Sequence, residues 1–178
     1  ISEQYESTKV NVIENIIDNK INLTFKLEDT EKFIVEKINI FGNNITRESV
    51  IRNQFLVDEG DPYNAILANK SLNNIKSLNF FKSVKSEVIE GSNPNLRIIN
   101  YYIEEKPTGE ITAGAGVGTG GGTIAFGVKE NNYLGKGINL DLAAVIDSES
   151  VNGNFSVINP NFNNSDKSII VNFNADET

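Results

Sequence analysis

A chain of 178 residues has room for one full domain and part of another, each with a buried core. Its 16 basic side chains against 24 acidic ones, with a net charge of -8 and a pI near 4.6, speak against a nucleic-acid partner, which would need clustered Lys and Arg. Cysteine and histidine are both absent, which excludes thiol nucleophiles, His-based triads and the usual zinc sites.

The chain opens on Ile1 and carries no secretory leader, so it reads as an internal piece of a longer polypeptide. No apolar run reaches the roughly 18 residues of a membrane-spanning helix, a test to which transmembrane strands are blind.

In chain order, KVNVIENIID and KINLTFKLED predict two alternating strands joined around Asp18, Asn19 and Lys20. Ile21, Leu23, Phe25 and Leu27 share one face of the second strand. This hairpin, residues 1–32, has no helix of its own to pack on and is expected to end a preceding domain.

A new unit spans 33–106. Ile34, Ile38 and Ile40 mark a strand that Gly42, Asn43 and Asn44 end with turn chemistry. Thr46 is the expected cap of a short helix, TRESVIRNQF, with Ile45 and Val50 placed for a hydrophobic staple. Asp61 and Pro62 predict the start of a second helix, on which Ala68, Leu72, Ile75 and Leu78 recur at helical spacing. FKSVKSEVI and NLRIINYYIEE close the unit as two strands around Gly91 to Pro94. The predicted order is β-α-α-β-β: an α+β domain with a small sheet covered by two helices.

Beyond Lys106, Pro107, Thr108 and Gly109, strict alternation replaces helical spacing over 107–178. Five successive strands each set an apolar face against one of Asn, Asp, Ser, Thr or Gly; in the first, Gly114, Gly116 and Gly118 oppose Ala113, Ala115 and Val117. A half-wet soluble sheet alternates in this way too. Strands nearing the ~9–11 residues of a tilted transmembrane strand, with a charge-free apolar face, equally fit the first antiparallel strands of a transmembrane β-barrel. Five strands fall short of the minimum of about eight that closes such a barrel.

GNNITRESVIRNQFLVDEGDPYN, then SLNNIKSLNFFKSV and YYIEEKPTG, closely resembles the last POTRA domain of the BamA-like outer-membrane assembly factors. The following GVG, KENNYLGKG and INPNF resemble the opening strands of their bacterial-surface-antigen barrel. The resemblance implies an outer-membrane location with the POTRA part in the periplasm. It implies ATP-free folding and insertion of β-barrel proteins, and neither an enzyme nor a cofactor. Expected partners are unfolded outer-membrane clients, periplasmic chaperones, accessory outer-membrane lipoproteins and the lipid bilayer.

Three sets of site residues follow from it. Phe81, Ser83, Val84, Lys85 and Ser86 would lie on an edge strand open to β-augmentation, or merely protected by Lys82 and Lys85. Ala113, Gly114, Ala115, Gly116, Val117 and Gly118 would form the lateral-gate strand; its glycines either loosen a seam or make room for another backbone. Lys106, Pro107, Thr108 and Gly109 would be the hinge. A dedicated secretion pore or autotransporter-assembly module of the same superfamily is the alternative.

Two patterns invite chemistry and resist it. Gly116, Gly118 and Gly121 spell a dinucleotide fingerprint, but a strand follows them where a phosphate-binding helix is required, so a nucleotide-binding enzyme is a remote reading. Glu104 and Glu105 are adjacent on a strand and so point to opposite faces, which precludes a catalytic pair. In KENNYLGKG, Asn131, Asn132 and Gly135 are expected to turn, with Tyr133 an interfacial aromatic.

Overall fold

The computed structural model describes residues 8–17, 20–29, 32–165 and 167–177. They cluster into two compact units. One comprises the described part of Ile1–Phe41 with Gln54–Ser77 and Val84–Tyr102; the other is Gly42–Asn53, Leu78–Ser83 and Ile103–Thr178.

In the first unit, β1 (Thr8–Ile17) pairs antiparallel with β2 (Lys20–Asp29), setting Val12 against Phe25 and Ile16 against Ile21. Asp18 and Asn19 of the expected turn, and the side chain of Leu27, lie outside the described residues. β3 (Ile34–Phe41) runs parallel to β5 (Leu96–Glu105), which is the middle strand of a three-stranded sheet flanked on its other side by β4 (Phe81–Glu90).

The helix of this unit, α2 (Ala65–Ser77), begins later than Pro62, because Asn64 caps it. The Asn64 carboxamide oxygen accepts the N–H groups of Ile66 and Leu67 at 2.9 and 3.1 Å, satisfying two donors that the helix start leaves open. Pro62 instead bridges Ile34. Ala68, Ser71 and Ile75 form the buried face of α2, and Val35, Ile38, Val57, Ile99 and Tyr101 are buried in the same unit. Ser71 is tolerated inside because its hydroxyl accepts the Leu56 N–H and donates to the Leu67 carbonyl. Burial pushes the Tyr101 phenol up to about 12 despite its hydrogen bond to Ser71.

In the second unit, α1 is only Glu48–Arg52, and its N-cap is Arg47, which makes no side-chain capping bond. The expected Thr46 cap is therefore wrong, and so is the staple, since Ile45 is exposed. Thr46 is buried with its hydroxyl turned to Asn132 Nδ2 at 2.9 Å, a stronger demand than a cap that water could replace.

The alternating region forms a five-stranded antiparallel sheet in the order β10-β9-β8-β7-β6. Its strands are β6 (Gly109–Gly118), β7 (Gly121–Tyr133), β8 (Ile138–Ile146), β9 (Val151–Asn159) and β10 (Ile169–Glu177). Every hairpin is sequential, as an up-and-down barrel wall requires. The Gly118–Gly121 pair closes the β6–β7 turn, and Gly121 takes φ +117 there, so the fingerprint glycines lie in a strand and its turn.

Registration puts Ile111, Val128, Leu142, Phe155 and Phe173 side by side in one apolar row. Asn154 and Ser156 on the opposite face donate to Asn174 and Asn172 at 2.6 and 2.7 Å. The apolar face is not charge-free throughout: Glu130 lies opposite Leu140 and Glu177 opposite Val151. Both sit at strand ends, outside the rows that a hydrocarbon layer would cover. Asn131 and Asn132 belong to β7, and the turn is Leu134 to Gly137.

Candidate functional site

Two strand edges and the segment Lys106 to Gly109 carry the candidate site residues. β4 pairs only with β5, so its outer edge is open among the described residues. Phe81 and Val84 are buried, Ser83 is half-buried, and Lys85 and Ser86 are exposed. Lys82 is engaged across the sheet: its ammonium lies 2.7 Å from Glu104 Oε1, a hydrogen bond that raises its pKa, and Ser83 Oγ donates to the same carboxylate.

The opposite edge of the small sheet is closed. Along β3, the Val35 N–H donates to the Asp61 carbonyl at 2.9 Å, and the Gly60 N–H to the Val35 carbonyl at 2.7 Å. The Glu59 carboxylate accepts the Ile38 N–H at 2.9 Å. The loop after α1 thus covers one edge and leaves the other bare, a difference that sequence patterning does not carry.

Among the described residues β6 pairs only with β7, and each of its ten residues is exposed. A Cβ built on Gly114, Gly116 or Gly118 meets no atom within 4 Å. Among the described residues, then, no backbone approaches that would require glycine there.

Three of the four residues expected at a hinge are tied down. The Lys106 N–H donates to the Phe80 carbonyl at 3.1 Å, and its ammonium to Asn79 Oδ1 at 2.7 Å. The Thr108 carbonyl accepts from Asn131 Nδ2 at 3.2 Å, and the Thr108 hydroxyl donates to the Glu130 carboxylate. Gly109 pairs with Glu130 in the β6–β7 ladder.

Around this segment lies a network that sequence reading missed. The Glu105 carboxylate accepts the N–H groups of Ile45 and Thr46 at 2.8 and 2.6 Å. Burial pushes that carboxyl up, but the N–H donors of Thr46, Ile45 and Asn44 outweigh it and hold it below its ordinary value. Asn132 bonds the Thr46 hydroxyl and accepts the Gly137 N–H at 2.8 Å; the Arg47 N–H donates to the Gly135 carbonyl at 2.9 Å. A side chain at Gly135 would collide with the Ile45 carbonyl oxygen. Glu104 faces away toward Lys82 and Ser83, so the two adjacent carboxylates serve separate structural bonds.

Comparison with known proteins accords with this architecture. Residues 33–106 match the POTRA family, described as the surface antigen variable number repeat. The outer membrane protein assembly factor BamA of Neorickettsia risticii is 34% identical over 117 residues, 65% of this chain and 16% of that protein. BamA of Neisseria meningitidis is 27% identical over 160 residues, 89% of this chain and 20% of its own length. The crystal structure of Haemophilus ducreyi BamA lacking POTRA domains 1–3 superposes with a TM-score of 0.74 at 25% identity, over 97% of this chain and 33% of that one. The chain thus spans a minor part of the relatives it matches. It belongs to the BamA-like family of the bacterial outer membrane, as a piece that joins a periplasmic POTRA domain to the first antiparallel strands of the β-barrel.

Proposed function

We propose that this chain works within an assembly factor that folds and inserts β-barrel proteins into the outer membrane, with β4 as a docking edge and β6 as the gate strand. The observation that carries the reading is the pair of bare strand edges. The loop at Gly60 and Asp61 closes β3, while β4 keeps a row of backbone groups able to pair with an extended client or partner segment. β6 presents a glycine-rich edge whose loss of a neighbour sacrifices little side-chain packing. Residues 1–32 then end a preceding POTRA domain, 33–106 form the POTRA domain, and 107–178 contribute five barrel strands.

Pairing energy alone drives such a step: each client strand that enters gains a ladder of hydrogen bonds in a medium without water to compete. No cofactor and no catalytic group is required. Clients would arrive from periplasmic chaperones, and accessory outer-membrane lipoproteins would share the POTRA surface. The segment Lys106 to Gly109, held by Phe80, Asn79 and Glu130, would act as a fastened joint that must break bonds to move.

The test is reconstitution of the full-length protein in phospholipid vesicles, with several unrelated unfolded outer-membrane proteins supplied without nucleotide. Faster folding of all of them supports the reading. Passage of one dedicated substrate across the vesicle, with no gain in folding for the others, would establish the secretion pore instead.

A further inference from the structure

The turn joining β7 to β8 holds three residues in left-handed backbone: Leu134 at φ +54, Gly135 at +69 and Gly137 at +65. At two of them the chain uses glycine, for which that conformation is free. At the first it keeps a leucine, for which it is unfavourable. Burial does not compensate, because Leu134 is 64% exposed. Beside it Ile45 is 68% exposed and Tyr133 43%, and the three line one cleft.

Next to this apolar cluster the buried Asn132 side chain ties its own turn to Thr46, donating to the Thr46 hydroxyl and accepting the Gly137 N–H. Two carboxylates line the same cleft: Glu105 has both oxygens engaged, by the Ile45 and Thr46 N–H groups, and Glu130 accepts the Thr108 hydroxyl and the Asn132 N–H on one oxygen, Oε1. Two cations flank it, Arg47 and Lys136, on the wall of a neighbouring cleft. A register shift between Glu130 and Tyr133 places Tyr133 opposite Ile138, on the face that carries Leu140 and Leu142. The cluster therefore continues the apolar face of the strands past their last charge-free rows.

We propose that Ile45, Tyr133 and Leu134, with Arg47 and Lys136, form an anchor in the headgroup layer of the bilayer. Apolar tips enter the acyl boundary and the two cations meet lipid phosphates. The strained leucine then has a reason to persist: glycine would relax the backbone and leave the boundary without its deepest apolar group. The inference rests on β7 to β10 crossing the membrane.

A photoreactive p-benzoylphenylalanine at position 134, 45, 173 or 93 of the full-length protein tests it, in vesicles of phosphatidylethanolamine and phosphatidylglycerol, with lipid adducts counted by mass spectrometry. Positions 134 and 45 should label lipid several-fold above position 93, in the exposed β4–β5 loop, and near the level of position 173 on the apolar face. Lipid adducts at 173 but none at 134 or 45, or protein adducts in their place, overturn the anchor and leave the membrane-spanning strands standing. No adducts at 173 overturn both. Leu134→Gly should cut lipid labelling at position 45 several-fold with an equal or higher denaturation midpoint. A lower midpoint with unchanged labelling would make the leucine a structural residue and sink the proposal.

Discussion

Asn132 is a buried carboxamide with both ends in use, one on the Thr46 hydroxyl and the other on the Gly137 N–H. Replacing it by alanine strands two buried polar groups without water, at a cost of about 1–3 kcal/mol. Denaturant titration of Asn132→Ala should show that loss, and a midpoint equal to wild type would mean water fills the gap. Glu105 gives a pH signature of known sign. Its folded-state pKa lies below the ordinary 4.5, so its contribution is complete above that value and is lost as pH falls through the folded value. The stability advantage of wild type over Glu105→Gln should therefore be constant near neutral pH and shrink under acid. An advantage that grows on acidification would contradict the assigned bonds to Ile45 and Thr46. Neither residue is singled out by sequence for this role: asparagine is frequent throughout the chain, and Glu105 reads only as one of two adjacent carboxylates on opposite faces of a strand.

At the scale of elements, edges decide what the chain can do. β6 is free of side-chain crowding at Gly114 and Gly116, so a substitution there tests pairing strength without a steric penalty. The double variant Gly114→Val, Gly116→Val should keep the fold, tighten the pairing of β6 through β-branched cross-strand contacts worth roughly 0.2–1 kcal/mol each, and slow barrel assembly. Unchanged assembly rates in a properly folded double variant would count against a gate at this strand. Helix starts illustrate how local signals compete. Thr46 has the chemistry of a cap, and Pro62 that of a first helical residue, yet Arg47 is the cap of α1 and Ala65 the first residue of α2. Thr46 is drawn away by a tertiary partner, and Pro62 by the β3 edge it bridges.

On the scale of the molecule, the five-stranded sheet has one polar and one apolar face and, among the described residues, two open edges, β6 and β10. Exposed apolar area of that kind is stable only against lipid, detergent or further strands. The 178-residue chain produced alone in aqueous buffer should aggregate through residues 107–178, and detergent should suppress this. A monodisperse chain with its β6 to β10 amides protected from exchange in buffer would contradict the membrane reading.

Sequence alone determined the order of the elements and the apolar side of the second hairpin strand and of the strands in 107–178, because alternation of period two and helical spacing are written in consecutive residues. The family was legible for the same reason: motifs such as GNNITRES and KENNYLGKG are local strings. Tertiary structure decided what depends on distant partners. It set which edge of the small sheet the loop at Gly60 and Asp61 closes, and it moved Tyr133 to the apolar face through a one-residue register shift. It joined Thr46 to Asn132 across 86 positions. Such contacts join residues that are far apart in the chain, so no run of neighbouring residues records them.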